Sequence, residues 1–130
     1  MENSTPSHLT ILIVDDHHII RRTLKQWLSG KYADVEIIEA SSGEDALDVL
    51  DEHSVDLTLM DIHLPGIDGI EATRQIKEMH QDVRVIMLTV QEMERYQTNA
   101  LESGADGYVI KRQMYTDLIP VISSVLKSDS

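Results

Sequence analysis

"LTLMDIHLPGIDG", residues 57–69, joins an apolar run to an aspartate and then to a turn. The run "LTLM" is mostly apolar rather than strictly alternating, which is typical of a strand covered on both faces. Asp61 follows it directly, and Pro65 and Gly66 then predict a sharp loop. A carboxylate at the rim of a core is costly without a partner, so Asp61 needs either a counter-charge or a chemical role.

Four further runs of the same character lie on either side of this one. They are "LTILIV" (9–14), "VEII" (35–38), "VRVIML" (83–88) and "YVI" (108–110). Each gap between runs is long enough for a helix, so the sequence predicts an alternating α/β domain with a parallel sheet. We expect this domain to span residues 9–126, with an N-terminal tail at 1–8 and a C-terminal tail or linker at 127–130.

Two of the predicted helices have clear start signals. Ser42 followed by Asp45, and Asp68 followed by Glu71, resemble capping boxes in which a side chain accepts a hydrogen bond from a first-turn N–H. The second and third helices are therefore expected to begin just after Ser42 and Asp68.

The other helix limits depend on Gly, Thr and Pro. Gly30 and Gly104 are expected to end the first and fourth helices with a positive φ, the fourth running from about 92 to 103. Thr116 is expected to cap the fifth helix, which would place Pro120 in the first turn, where its missing N–H costs nothing.

The composition excludes several classes of function. The net charge of −12 argues against binding of nucleic acid or anionic membranes by this segment. With no cysteine, there is no disulfide framework and no thiolate site. No run approaches the ~18 apolar residues of a membrane span, and the N-terminus lacks the apolar stretch of a signal peptide, so we expect a cytoplasmic domain.

Polar residues follow four of the predicted strands: Asp15 and Asp16, Asp61, Thr89, and Lys111. In open parallel sheets the working site lies at the carboxyl ends of the strands. If the first and third strands are neighbours, three carboxylates meet there and repel one another unless a cation neutralises them. Oxygen ligands with open water positions favour Mg²⁺, and a carboxylate beside that ion can attack phosphorus. Lys111 would neutralise charge on the transferring group.

These motifs resemble those of a known family. The acidic pair in "ILIVDDH", the aspartate in "LTLMDIHLPGIDG", the hydroxyl in "VIMLTV" and the lysine in "GADGYVIK" are similar to the receiver domains of two-component response regulators. "VDDHHIIRRTLKQWL" and "GADGYVIKR" favour the NarL/FixJ-type subgroup. The resemblance implies a CheY-like, flavodoxin-like (βα)₅ fold: a doubly wound, five-stranded parallel sheet of order 2-1-3-4-5.

The resemblance also implies the roles of the residues at the metal site. Asp61 is the expected phosphoacceptor. Mg²⁺ is expected to be bound directly by Asp16 and Asp61, mainly through water by Asp15, and by the backbone carbonyl of His63. His63 is further expected to extend its side chain over the site.

The resemblance assigns the remaining site residues to a switch. Thr89 is expected to donate its hydroxyl to the phosphoryl group, and Lys111 to pair with that group. Tyr108 corresponds to the aromatic residue that turns inward once Thr89 moves. Arg112 stands where many receivers have a proline, and its peptide bond is expected to be trans.

The implied partner is a histidine kinase or phosphotransfer protein that donates the phosphoryl group. The domain would catalyse only its own phosphorylation and dephosphorylation, would dimerise on phosphorylation, and would control transcription through an output domain outside these residues. The alternative within the family is a stand-alone or degenerate receiver that acts as a protein-interaction module.

Two other classes fit the sequence less well. A phosphatase of the haloacid-dehalogenase type needs an acid two residues after its nucleophile, but Asp15 is followed at that position by His17. A Rossmann-like nucleotide site needs a glycine-rich turn, and "DDHHII" has none. Neighbouring helical side chains diverge by about 100°, so His17 and His18 are expected to be solvated rather than to share a metal ion.

Overall fold

The computed structural model describes residues 8–127, in which strands and helices alternate along the whole segment. In order they are β1 (Leu9–Val14), α1 (His18–Lys31), β2 (Val35–Ala40), α2 (Gly43–Glu52), β3 (Leu57–Met60), α3 (Gly69–Met79), β4 (Arg84–Thr89), α4 (Glu94–Glu102), β5 (Gly107–Ile110) and α5 (Met114–Lys127). A 3₁₀ turn, Lys111–Gln113, joins β5 to α5. Within residues 8–127, no helix has the length and apolar character needed to cross a bilayer.

The five strands form one parallel sheet in the order β2-β1-β3-β4-β5. This confirms the predicted α/β class and strand order. The order makes β1 and β3 direct neighbours, with Val14 beside Met60 at their carboxyl ends. The two chain segments that leave these strands therefore start side by side.

The two faces of the sheet are covered by different helices, which explains why the central strands are mostly apolar on both faces. Ile11 and Ile13 of β1 belong to a core built with α1 and α5, whereas Leu12 and Val14 belong to a second core built with α2, α3 and α4. All four side chains are at most 1% exposed. Burial at this level stabilises the fold by about 1.5–3 kcal/mol per large aliphatic side chain, as an upper bound.

The predicted starts of α2 and α3 are confirmed. The Ser42 side chain accepts a hydrogen bond of 3.0 Å from the backbone N–H of Asp45, and the Asp68 carboxylate accepts one of 2.8 Å from the N–H of Glu71. Each bond satisfies one of the N–H groups that a helix leaves unpaired at its start.

Two of the predicted helix limits need correction. Gly30 lies inside α1, which continues to Lys31, and it does not have a positive φ. Backbone hydrogen bonding on to Tyr32, whose N–H donates to Leu28, continues the helix past the glycine. Helix α4 begins at Glu94 rather than near residue 92, but its predicted end is confirmed, with Gly104 at φ +108°.

The prediction for the start of α5 was wrong. Helix α5 begins at Met114, so Thr116 lies inside it and Pro120 lies in its interior rather than in its first turn. Both residues are exposed, whereas the opposite face of α5 buries Leu118 and Ile122. The proline deprives the Thr116 carbonyl of its usual N–H partner. Because that carbonyl is on the solvent side, water can replace the lost bond, and packing of the apolar face maintains the helix.

Candidate functional site

The carboxyl ends of β1 and β3 bring two buried aspartates together. The Asp15 N–H donates to the Ala40 carbonyl at 3.1 Å, and the Asp61 N–H donates to the Val14 carbonyl at 3.0 Å. Both residues therefore continue the hydrogen-bond ladder of the sheet one position beyond the apolar strand. Asp15 is 2% exposed and Asp61 is 6% exposed, so both carboxylates need compensating partners.

Lys111 provides the counter-charge for both aspartates. It is the first residue after β5, and its Nζ lies 2.6 Å from Oδ2 of Asp15 and 3.2 Å from Oδ2 of Asp61. Burial disfavours the charged ammonium, but the hydrogen bond to Asp15 and the charge of Asp61 outweigh it and raise the pKa of Lys111. The lysine therefore stays protonated at neutral pH and provides a positive charge in contact with both acids.

His17 lies exposed in the loop before α1, as expected, but it also contacts the acids of this site, which the sequence analysis did not anticipate. Its side chain is 65% exposed, yet its Nδ1 lies 2.8 Å from Oδ1 of Asp15 and 3.2 Å from Oδ1 of Asp16. Its backbone N–H donates to the same Asp15 oxygen at 2.8 Å. The hydrogen bond to Asp15, with the charges of Asp15 and Asp16, raises the pKa of the His17 imidazole. The sequence signal was present in "DDHH", but only the turn after β1 decides which histidine faces the acids.

The chemistry of this donor set fits a divalent cation. Potential ligand atoms of Asp15, Asp16, His17 and Asp61 all lie within 4.8 Å of one another. Against these three carboxylates Lys111 supplies one positive charge, so two negative charges remain for other cations to balance. Asp16 is the more open of the acids, with a side chain 39% exposed, which leaves room for the waters that Mg²⁺ usually retains.

Close backbone packing beneath Asp61 requires a glycine that the sequence analysis did not single out. The Gly69 N–H donates to the Ile62 carbonyl at 2.7 Å. A Cβ on Gly69 would lie 1.9 Å from the carbonyl oxygen of Asp61, so no other residue fits without moving the backbone of the site. The predicted turn before it is confirmed, since Gly66 has a φ of +76°.

The loop between β4 and α4 closes one side of the site. Thr89 ends β4 with no solvent exposure, and its hydroxyl accepts a long hydrogen bond of 3.4 Å from the Gln91 N–H. The Tyr108 hydroxyl donates to the Gln91 carbonyl at 2.8 Å, and the Gln91 side chain lies 2.6 Å from the His63 ring nitrogen Nε2. Burial, with Tyr96 and Asp61 nearby, raises the pKa of the Tyr108 phenol.

The residue that follows Lys111 is tied to the same loop. Arg112 donates from Nε and Nη2 to the two carboxylate oxygens of Glu92, each at 2.8 Å. No cis peptide bond occurs within residues 8–127, so the predicted trans bond at Arg112 is confirmed. The ion pair joins the β4–α4 loop to the 3₁₀ turn that contains Lys111.

The fold and the pocket together define an open α/β domain with an acidic, lysine-neutralised site at its strand ends. The sequence profile described as "Response regulator receiver domain" matches residues 11–123. The chain belongs to the family of response regulator receiver domains, the signalling modules of two-component systems.

Known bacterial regulators are similar to this chain. The "Transcriptional regulatory protein DegU" of Brevibacillus brevis is 32% identical over 124 residues, which are 95% of this chain and 52% of that protein. The "Response regulator UvrY" of Escherichia coli K12 is 37% identical over 117 residues, 90% of this chain and 54% of that protein. The chain thus spans about half the length of the curated relatives that it matches.

Solved structures show the same architecture. A LuxR-family response regulator from Aurantimonas has a TM-score of 0.86 at 31% identity, over 92% of this chain and 85% of that one. The response regulator TrrA of Thermotoga maritima, solved in complex with Mg²⁺ and beryllofluoride, has a TM-score of 0.80 at 32% identity, over 90% and 98% of the two chains.

Proposed function

We propose that residues 9–126 form a phosphorylation switch in which Asp61 accepts a phosphoryl group from a phosphohistidine. An Asp61 carboxylate oxygen attacks the phosphorus, the P–N bond breaks, and the imidazole leaves with a proton from solvent. The observation that carries this proposal is the placement of the Asp61 carboxylate at a strand end, 3.2 Å from Lys111 and inside the acidic cluster. The ammonium of Lys111 also stands where it can neutralise charge on the group that Asp61 attacks.

The acidic cluster is the proposed site for Mg²⁺, which would neutralise charge on the transferring phosphoryl group. Asp16 and Asp61 are its proposed direct side-chain ligands, Asp15 would hold it mainly through water, and the backbone carbonyl of His63 is a further proposed ligand. Support comes from the spacing of the carboxylates within 4.8 Å and from their excess negative charge. TrrA, which is 32% identical, was solved with Mg²⁺ and beryllofluoride.

Lys111 has two successive roles in this proposal. Before transfer its ammonium holds the Asp15 and Asp61 carboxylates at 2.6 and 3.2 Å. After transfer it pairs with a phosphoryl oxygen, because Asp61 no longer carries its own charge. A phosphoryl group carries up to two negative charges where the carboxylate carried one, so the pair with Lys111 is stronger in the phosphorylated state.

Thr89 and Tyr108 are the proposed switch residues. The Thr89 hydroxyl makes only a long bond to Gln91, and Tyr108 holds the carbonyl of that same residue. A new bond from Thr89 to the phosphoryl group is worth about 1.5–3 kcal/mol. Moving a two-state equilibrium from 1:99 to 99:1 needs about 5.5 kcal/mol. Thr89 alone is therefore insufficient, whereas Thr89 together with Lys111 is in range.

The proposed partners follow from the family and from the named relatives. The phosphoryl donor is a histidine kinase or phosphotransfer protein in the cytoplasm, and the domain modifies only itself. Because one relative is a transcriptional regulatory protein of about twice this length, we propose that the domain controls transcription through an output domain and dimerises when phosphorylated.

The decisive experiment is phosphorylation by a small donor. Incubation with acetyl phosphate and Mg²⁺, followed by intact mass measurement, should add one acid-labile phosphoryl group to the wild type. Asp61→Asn should gain none, while Asp82→Asn, which removes an exposed loop carboxylate, should behave as the wild type. Light scattering before and after phosphorylation tests dimerisation.

Other outcomes distinguish the competing classes. If neither acetyl phosphate nor a kinase labels the wild type, the domain is an interaction module and the switch proposal is wrong. Repeated turnover of a phosphomonoester would instead indicate a phosphatase. Labelling that persists in Asp61→Asn would move the acceptor to another residue.

A further inference from the structure

The turn after β1 adds a nitrogen donor to what is otherwise an all-oxygen site. The two carboxylate oxygens of Asp15 have different partners. Oδ2 lies 2.6 Å from Nζ of Lys111, and Oδ1 lies 2.8 Å from Nδ1 of His17. Nδ1 also lies 3.2 Å from Oδ1 of Asp16. The imidazole nitrogen therefore sits on the side of Asp15 that faces away from the lysine.

These separations match the distances between neighbouring ligands of one metal ion. Two adjacent ligands of an octahedral ion, with bonds of roughly 2.1 Å, lie about 3 Å apart. The contact of Nδ1 with Oδ1 of Asp16, the proposed direct ligand, is 3.2 Å and lies close to that value. The contact with Oδ1 of Asp15, 2.8 Å, holds the ring in this position. Two acceptor atoms approach this closely only when a proton or a metal ion lies between them. Either Nδ1 carries a proton that it donates to Asp15, or a metal ion takes the place of that proton.

We propose that His17 is a metal ligand through Nδ1 and that this nitrogen shifts the ion preference of the site from Mg²⁺ towards Mn²⁺ and related transition metals. The inference deepens the proposed function and rests on it. Mg²⁺ binds almost exclusively to oxygen, whereas an imidazole nitrogen suits Fe, Ni, Cu and Zn. Mn²⁺ also favours oxygen ligands, but it accepts a nitrogen ligand beside carboxylates more readily than Mg²⁺ does. Coordination uses the neutral ring, with its remaining proton on Nε2.

His18 provides a matched control within the same sequence. It is also exposed and stands at the first position of α1, but its ring is outside the cluster of residues 15, 16, 17 and 61. Since His17 is largely exposed and precedes the helix, His17→Gln should fold as the wild type does. Circular dichroism of both variants verifies this point.

Electron spin echo envelope modulation of bound Mn²⁺ reports ¹⁴N atoms in its coordination sphere. Wild type and His18→Gln should show the strong modulation of a coordinated imidazole, and His17→Gln should lose it. Labelling with ¹⁵N-histidine should replace the ¹⁴N signal in the wild type. In calorimetry, His17→Gln should weaken Mn²⁺ binding by about tenfold or more and change Mg²⁺ binding by less than about threefold.

The outcomes separate this inference from the proposed function. If Mn²⁺ and Mg²⁺ both bind but no imidazole modulation appears, or if His17→Gln weakens both ions equally, His17 is only a hydrogen-bond partner of the acids and the inference is overturned. If neither ion binds the wild type, the metal site itself is wrong, and the proposed function fails together with the inference.

Discussion

Replacing Lys111 with methionine tests the electrostatic balance on which the site depends. The lysine is the only ammonium in contact with both Asp15 and Asp61 among residues 8–127, and its side chain is 14% exposed. Methionine retains much of the aliphatic stem but removes the charge. Lys111→Met therefore leaves two nearly buried carboxylates side by side without that cation.

The expected loss of stability follows from the two distances. At an effective dielectric constant of about 20, unit charges at 2.6 and 3.2 Å attract by about 5–6 kcal/mol each, before the cost of desolvating the ammonium is subtracted. Removing one partner of a buried ion pair costs about 3–5 kcal/mol. Because Lys111 keeps some contact with solvent, we expect the lower end, a decrease of about 3 kcal/mol in the free energy of unfolding.

Urea denaturation followed by circular dichroism, at neutral pH with a chelator present, measures this loss. With an m-value of roughly 2 kcal/mol/M, Lys111→Met should unfold at about 1.5 M less urea than the wild type. Lys25→Met removes an exposed ammonium from α1 and should change the free energy of unfolding by less than about 0.5 kcal/mol.

Two results would refute the reasoning. One is a Lys111→Met variant as stable as Lys25→Met in the absence of metal. The second test uses divalent ions. Mg²⁺ should restore more stability to Lys111→Met than it adds to the wild type, because the ion replaces the missing positive charge. Equal effects of Mg²⁺ on both proteins would show that the carboxylates are not the source of the instability.

Two further predictions concern the backbone packing at Gly69 and the pH dependence of the stability that His17 contributes. Gly69→Ala should lower the free energy of unfolding by about 2 kcal/mol or more, since its Cβ would overlap the Asp61 carbonyl; Gly30→Ala, where nothing lies within 4 Å, should raise it by about 0.5–1 kcal/mol in the same urea assay. The contact with Asp15 raises the pKa of His17, so in metal-free protein its stabilising effect is complete below the unfolded value of about 6.5. The stabilisation by His17 is lost as the pH rises through the pKa that His17 has in the folded protein. The stability difference between wild type and His17→Gln should therefore be largest in mild acid and absent in mild base; a difference that grows with pH would contradict this sign.

The local features of the fold could be predicted from nearby residues. Mostly apolar runs identify strands that are covered on both faces, and the starts of α2 and α3 depend on side chains within three residues of the capped N–H. The placement of Asp15, Asp61 and Lys111 at strand ends follows from the same patterns. The order of the strands in the sheet was predicted from the family resemblance, because apolar runs alone do not show which strands pair.

Tertiary packing decided what those patterns could not. Lys111 meets Asp15 across 96 positions of sequence only because of the order of the strands, and a proline is accommodated inside α5 because one face of that helix is buried and the other is open. Gly69 is needed because another stretch of backbone passes within contact distance. The sequence by itself thus determined the elements and the chemistry at their ends, since both depend on adjacent residues. The tertiary structure decided three further features: the contact of Lys111 with both Asp15 and Asp61, the contact of His17 with the acids, and the close packing of Gly69 against the Asp61 carbonyl. Each of these depends on atoms that only the folded chain brings into contact.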